Sequence, residues 1–198
     1  YTYGWLLERF AVWKQTLEKE KIARTSVTVL EADFSPNALA LFFALMDHAC
    51  ILVPVTPAVK TKRDEFISIA QGEFSFAIDH HDDVSINKLQ QTARHPFYDQ
   101  LKSEGHPGLV LFSSGSTGES KAAVHDMVRL LDKFKQRRTS MRTITFLLYD
   151  HVGGINTMLH TLSNGGCLIT VPERHPDAVL ETVEKYRAEL LPTSPTFL

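Results

Sequence analysis

The stretch GLVLFSSGSTGESKAA, Gly108–Ala123, changes character halfway along. Leu109, Val110, Leu111 and Phe112 form a short uninterrupted apolar run, the pattern of a strand buried on both faces in a parallel sheet. Ser113, Ser114, Gly115, Ser116, Thr117, Gly118, Glu119 and Ser120 follow, with two glycines, five hydroxyls and no apolar side chain before Lys121. Such a segment adds nothing to a core, but it can present backbone N–H groups and hydroxyls with a cation at its end. Gly115 and Gly118 permit close approach of the backbone to a ligand. Successive N–H groups can form an anion-binding nest, and Lys121 supplies a mobile point charge. These features suit a phosphate held at the end of a strand, where open α/β sheets bind ligands. The same residue types also suit an ordinary surface loop.

The spacing Gly-x-x-Gly-x-x-Lys separates the stretch from two better-known phosphate loops. A Walker A loop needs four residues between its glycines and Lys-Ser/Thr directly after the second. A dinucleotide fingerprint needs Gly-x-Gly-x-x-Gly at the opening of a helix. A serine-nucleophile elbow, Gly-x-Ser-x-Gly, is also absent, which weakens a hydrolase reading.

Upstream, Trp5–Glu20 reads as an amphipathic helix, with Leu6, Phe10, Trp13 and Leu17 on one face. A strand over Thr25–Leu30 leads to Ser35 as N-cap and Pro36 as first residue of a helix through Ala49. Ile51–Val55 reads as a strand, and Pro54 within it predicts an edge position or irregular end. After the polar connection TPAVKTKRD, a helix over Asp64–Gln71 stops at Gly72, and Phe74–Ile78 is the next strand. The acids and histidines of DHHDDVS, Asp79–Ser85, read as a solvated loop rather than a metal site, because adjacent residues cannot all face one ion. Asn87–Gly105 reads as a polar connector with a short helix over Tyr98–Ser103.

Downstream, the pattern predicts a helix over His125–Gln136 whose wet end runs into the basic stretch Lys135–Arg142, and then a strand over Thr143–Leu148. A helix over Asn156–Leu162, a turn at Gly165 and Gly166, a strand over Cys167–Val171, a helix over Pro176–Arg187 and a final strand at Glu189–Leu191 complete the chain. Short apolar strands alternating with helices of roughly 10–15 residues predict an α/β fold, a mostly parallel sheet flanked by helices. Leu109–Phe112 and Ile144–Leu148 are expected in its interior.

With 198 residues the chain can bury one sizeable core, and its formal net charge of −2 gives no reason to expect a nucleic-acid partner. No apolar window approaches the roughly 18 residues of a membrane span. Cys50 and Cys167 lie in apolar surroundings and read as reduced core residues of a cytoplasmic protein. The chain starts at Tyr1 and stops at Leu198 after a strand-like run, so it is expected to be a fragment of a longer protein.

A second strand end carries candidate chemistry in Tyr149-Asp150-His151-Val152-Gly153-Gly154. If the two strands are neighbours in a parallel sheet, His151 stands across from the Ser/Gly loop, where it could line an acid pocket; it could equally be a structural histidine. Asp150 could orient the ring or cap the helix that follows.

Five segments in order carry a family resemblance: YTYGWLLERF at the start, DHACILVPVTP (Asp47–Pro57), LVLFSSGSTGESKAAVH (Leu109–His125), ITFLLYDHVGG (Ile144–Gly154) and LLPTSPTFL (Leu190–Leu198). Together they resemble the N-terminal portion of the adenylate-forming superfamily, which contains acyl-CoA and aryl-CoA synthetases, nonribosomal-peptide adenylation domains and luciferases. Ser120 stands where the family's loop usually has Pro, Ala122 where it has Gly, and Met127 where many relatives have a second His.

The resemblance implies that residues 1–198 are a partial AMP-binding domain of an ATP-dependent ligase, lacking the family's adenine-binding segment, acidic Thr-Glu motif, ribose Asp and Lys-bearing C-terminal lobe. The implied parent is an acid–thiol ligase: it forms an acyl-adenylate from a carboxylic acid and ATP with Mg²⁺, then passes the acyl group to CoA or to the phosphopantetheine of an acyl carrier protein. Ser113, Ser114, Gly115, Ser116, Thr117, Gly118 and Lys121 would enclose the β- and γ-phosphates. Thr117 would also approach the metal, and His151 would face the acid. The fragment alone is expected to be inactive. A nucleotide-binding or interaction scaffold without a C-terminal lobe is the alternative.

Overall fold

In the computed structural model, which describes residues 1–114, 120–171, 173–195 and 197, the N-terminal helix is capped by Thr2, whose hydroxyl accepts from Trp5 N at 3.2 Å. The order is α1 (Tyr3–Lys19), β1 (Val27–Glu31), α2 (Pro36–Asp47), β2 (Ile51–Val55), α3 (Arg63–Ala70), β3 (Phe74–Ile78), β4 (Val84–Lys88), α4 (Pro96–Glu104), β5 (Gly108–Ser114), β6 (Ser120–Asp126), α5 (Met127–Leu131), β7 (Arg142–Ile144), α6 (Val152–Ser163), β8 (Cys167–Ile169) and α7 (Pro176–Tyr186). These elements form two compact units, Tyr1–Leu130 and Leu131–Leu198.

In the first unit six strands run in the order β4-β3-β1-β2-β5-β6. β3, β1, β2 and β5 are mutually parallel, and β4 and β6 close the edges antiparallel. Alternate residues of a strand face opposite sides. Val27, Val29, Ile51, Val53 and Val110 therefore share a core with Phe66 and Ile67 of α3 and Tyr98 and Leu101 of α4. The other face, carrying the fully buried Leu30 and Leu52, packs with α2. Burying both faces explains why these strands are apolar without alternation. Ser35 and Pro36 start α2 as the sequence predicts, with Ser35 Oγ accepting from Ala38 N at 3.1 Å.

Several expectations are corrected. Pro54 lies in β2, an interior strand, opposite Leu30 of β1. Ile51 N donates to Ser26 O, so by alternation the nitrogen of Pro54 faces β5, and the β2–β5 pairing ends at Leu52↔Leu109. No ladder bond is lost. Gly72 does not carry the left-handed turn that ends α3; Gln71 does, at φ 55°. Gly72 answers to packing, since a Cβ there would lie 2.7 Å from Val29 Cγ2. The polar connection before α3 winds into a 3-10 turn over Pro57–Lys62, and part of the expected connector is the edge strand β4. Residues 120–126, where a helix was expected to begin at His125, form β6 instead.

The second unit has its own two-stranded parallel sheet, β7 with β8, extended by a bridge from Thr143 to Leu190. The strand expected over Thr143–Leu148 is only Arg142–Ile144, and it is not in the sheet that holds β5. Ile144, Ile169, Val171 and Val179 form this unit's core. Cys50 is buried as expected, whereas Cys167 is exposed at the start of β8.

Candidate functional site

β5 and β6 form an antiparallel hairpin whose register runs from Gly108↔Asp126 to Ser114↔Ser120. The hairpin's outermost described pair is Ser114↔Ser120, and β5 runs parallel to its other neighbour, β2. Residues directly opposite in an antiparallel pair put their side chains on the same face. Lys121 faces Ser113 in this register, so the cation and the first hydroxyl share a face. The next pair inward, Phe112↔Ala122, faces the other way, and Phe112 stacks on Phe66 of α3 with ring centroids 3.9 Å apart and planes at 4°. That stack anchors the hairpin to α3.

Ser120, at the foot of the tip, is held from α3 and the turn before it. Its backbone N–H donates to Glu65 Oε1 at 3.3 Å, and its hydroxyl accepts from Lys62 Nζ at 3.4 Å. The hydrogen bond from the Ser120 hydroxyl keeps the exposed Glu65 carboxyl below its ordinary range. Lys62 and Glu65 were not legible as site residues, because TPAVKTKRDE carries no local signature and the contact spans 58 and 55 positions of sequence. Of the expected phosphate-contacting residues, Ser113, Ser114 and Lys121 lie on the described strands, whereas Gly115, Ser116, Thr117 and Gly118 lie outside the described residues.

β1 ends beside a second charged group. Arg63 grips Glu31 with two hydrogen bonds, Nε to Oε2 at 2.6 Å and Nη2 to Oε1 at 2.7 Å, and Ser75 Oγ also donates to Oε1. Burial pushes the Glu31 carboxyl up, but the bonds from Arg63 and Ser75 outweigh it and hold the carboxyl below its ordinary range.

His151 occupies the N-cap position of α6, with its carbonyl accepting from Ile155 N at 3.1 Å. Its side chain makes no capping bond and is 56% exposed, with Nε2 3.7 Å from Oδ1 of the buried Asp150. That distance is longer than a hydrogen bond. The glycines after it serve a close approach: a Cβ on Gly154 would collide with the Leu148 carbonyl. The expectation that the strands leading to Lys121 and His151 are neighbours in one sheet does not hold, since β5 pairs with β2 and β6, and β7 pairs with β8.

The loop over residues 79–83 is a structural device. Asp79 Oδ1 accepts from His81 N and Asp83 N at 2.8 and 3.0 Å, and Asp82 accepts from Ser35 Oγ and Asn37 N at 2.5 and 3.0 Å, fastening the loop to the start of α2. Elsewhere among the described residues, His106 Nδ1 lies 3.2 Å from Glu104 Oε2 and 3.0 Å from Asp126 Oδ2. Asp126 is further engaged by Val128 N and Arg129 Nε, so this group reads as a clamp at the start of α5.

Comparison with known proteins gives a consistent picture. The family model described as AMP-binding enzyme matches residues 1–198. A curated relative, 4-coumarate–CoA ligase-like 9 of Arabidopsis thaliana, is 23% identical over 229 residues, covering 100% of this chain and 41% of the relative. Nonribosomal peptide synthetase GRA1 of Gibberella zeae is 31% identical over 98 residues, 46% of this chain and 1% of that protein. Among solved structures, the Klebsiella oxytoca NpsA N-terminal subdomain in complex with 3-hydroxyanthranilyl-AMSN superposes with a TM-score of 0.76 at 19% identity, over 96% of this chain and 52% of that one. The inhibitor-bound N-terminal domain of FACL13 from Mycobacterium tuberculosis gives 0.76 at 16% identity, over 99% and 56%. The chain thus spans well under half the length of these curated relatives and about half of the solved chains it resembles in fold. With the mostly parallel sheet in place, the chain belongs to the AMP-binding enzyme family.

Proposed function

We propose that residues 1–198 are the phosphate-gripping part of an ATP-dependent acid–thiol ligase of the acyl- or aryl-CoA synthetase kind. The observation that carries this reading is the hairpin register that sets Lys121 beside Ser113 at the mouth of the Ser/Gly tip, with a second ammonium, Lys62, at its foot. Two ammonium groups beside a segment rich in hydroxyls and glycines suit a polyphosphate rather than a neutral ligand.

In this reading a substrate carboxylate oxygen attacks the α-phosphorus of ATP, and pyrophosphate leaves. A thiol then attacks the acyl carbon and AMP departs. Phosphoryl transfer is mostly positioning and charge stabilisation. Ser113, Ser114, Gly115, Ser116, Thr117 and Gly118 hold the β- and γ-phosphates by hydroxyls and backbone N–H groups, and Lys121 neutralises charge on the departing pyrophosphate. His151, with its ring exposed at the N-cap of α6, donates to the acid. Mg²⁺ takes hard oxygen donors, and such donors are present at the hairpin in Glu65, Ser113 and Ser120; Thr117 is its proposed ligand, and the ion would neutralise phosphate charge when bound. The adenine and ribose contacts and the catalytic C-terminal lysine belong to other parts of the parent, so the piece alone is inactive.

The acceptor is CoA or the phosphopantetheine of a carrier protein. The relative named as a CoA ligase favours the first, and the one named as a nonribosomal peptide synthetase keeps the second open. No described helix is long and apolar enough to cross a membrane, and a cytoplasmic location is proposed with the ligase reading. ATP–pyrophosphate exchange by the full-length parent, with aliphatic, aromatic and amino acids offered in turn, tests the proposal. Exchange with at least one acid supports it. Tight ATP binding with no exchange for any acid favours a nucleotide-binding scaffold instead.

A further inference from the structure

A pocket of about 760 Å³ opens in the second unit between the segment after α5 and α6. Lys133, Arg137 and Arg138 line it together with His160 and Asn156, and Phe134 and Met141 give it an apolar side. No carboxylate is among its lining residues. Asp132, the acid of this stretch, is engaged by Lys135 at 2.6 Å. Arg138 finds a neutral partner, its Nη2 donating to Gln136 Oε1 at 3.1 Å, and Lys133 lies 5.0 Å over the Phe134 ring. Three cations thus converge on one concavity with no anion in it, which concentrates positive potential there.

The basic segment is built into the fold rather than trailing from it. Asn164, buried at the end of α6, accepts from Arg138 N and donates to His160 O at 2.7 Å. Ser140 Oγ donates to Gly165 O at 2.9 Å, and Cys167 N donates to Met141 O at 2.9 Å. These bonds tie residues 138–141 to the turn after α6, so Arg138 projects from a fixed wall. The negative end of a helix dipole attracts cations, but it amounts to only about half a charge, too little to balance three. His151, at the N-cap of α6, is not among its lining residues.

We propose that this pocket binds a small phosphate-bearing ligand at a site distinct from the Ser/Gly hairpin and from His151. The phosphate takes the guanidinium and ammonium groups, and Asn156 and His160 offer further hydrogen bonds. Phe134 and Met141 accept the apolar part of the molecule. This proposal stands whether or not the parent is a ligase.

Calorimetric titration of inorganic pyrophosphate into the full-length chain tests it, in a Lys121→Ala background that weakens the hairpin site. A remaining pyrophosphate site is expected, weakened at least tenfold when Lys133→Gln and Arg137→Gln are added. Both side chains are exposed, so the melting temperature should not move. If the double substitution lowers it, Asn156→Asp supplies the second measurement, because a carboxylate placed in the pocket from an exposed helix position must also weaken pyrophosphate. Absence of any site in the Lys121→Ala background, or an affinity unchanged by the pocket substitutions, overturns the proposal.

Discussion

Lys121 stands directly opposite Ser113 across the β5–β6 hairpin, and the two side chains lie on the same face. Their positions in sequence are set by the intervening tip, but their adjacency is set by the ladder beneath it. A one-residue slip of β6 would send Lys121 to the face covered by α3. The Phe66–Phe112 stack and the Ser120–Glu65 bond hold that register from the α3 side. Phe66→Ala should therefore cost about 3–5 kcal/mol of stability, the range for truncating a buried phenylalanine. It should also raise the apparent KM for ATP in the parent, although Phe66 touches no phosphate; denaturant unfolding and steady-state kinetics check the two effects.

Gly154 gives a sharper structural prediction. Its would-be Cβ meets a backbone carbonyl, Leu148 O, and backbone cannot swing aside as a side-chain tip can. Gly154→Ala should destabilise the second unit by about 1–3 kcal/mol through overpacking and displace His151, three residues earlier, from the cap of α6. Gly165→Ala is the comparison, because a Cβ there meets nothing within 4 Å and the cost is conformational, arising from φ +69°. The melting temperatures of the two variants, with far-UV dichroism as a check on folding, test the distinction.

The Glu31–Arg63 pair predicts a pH dependence with a definite sign. Arg63 and Ser75 hold the folded carboxyl of Glu31 below its ordinary value despite burial. The pair's contribution is therefore fully present above the unfolded pKa of about 4.3 and is lost as pH falls through the lower folded value. In Arg63→Ala the burial effect remains without its main opponent. The variant should lose about 1.5–3 kcal/mol at neutral pH, as expected for hydrogen bonds to a charged group, and should approach the wild type in acid, where Glu31 is protonated. Urea unfolding between pH 3 and 7 would show a constant gap if the pair contributed nothing specific.

The two thiols separate chemically. Burial pushes the Cys50 thiol up to about 12, whereas Cys167 is exposed. The thiolate is the reactive form, so a maleimide should label Cys167 in the folded protein and reach Cys50 only after denaturation. Mass analysis of the peptides checks this, and labelling of Cys50 under native conditions would contradict its burial.

What the sequence made legible follows from the range of the interactions involved. Ser35 capping α2, the strand Phe74–Ile78 and the α/β alternation are encoded within a few residues, and the structure bears them out. Pro54 misleads, because its cost depends on which neighbour its nitrogen faces and where that pairing ends, facts set by β1 and β5. β6 reads poorly for a related reason: SKAAVHD has little apolar character, and its strand state comes from pairing with β5 across the whole hairpin. Cys167 looks buried among apolar neighbours but starts an outer strand of a two-stranded sheet, where one edge is open. At the site, the phosphate-type loop was legible from glycines, hydroxyls and a lysine, whereas Lys62 and Glu65 arrive through tertiary contact alone.

The proposed division of labour between Lys121 and His151 predicts opposite kinetic signatures in the full-length parent. Lys121 lies on the rim of the Ser/Gly tip and is exposed, so Lys121→Ala removes a charge from the polyphosphate side while leaving the core of the first unit intact. The first half-reaction should fall about tenfold or more, the equivalent of a lost hydrogen bond to a charged group, with the apparent KM for ATP rising. His151 belongs to the second unit, and its ring makes no capping bond, so His151→Ala should leave the melting temperature nearly unchanged. If the ring donates to the substrate acid, the apparent KM for that acid should rise by about the same factor, with little change for ATP. Initial rates with each substrate varied at saturation of the other resolve the two patterns. Small, equal effects of His151→Ala on both substrates, accompanied by a lowered melting temperature, would make the histidine a structural residue of α6 and remove it from the proposed reaction.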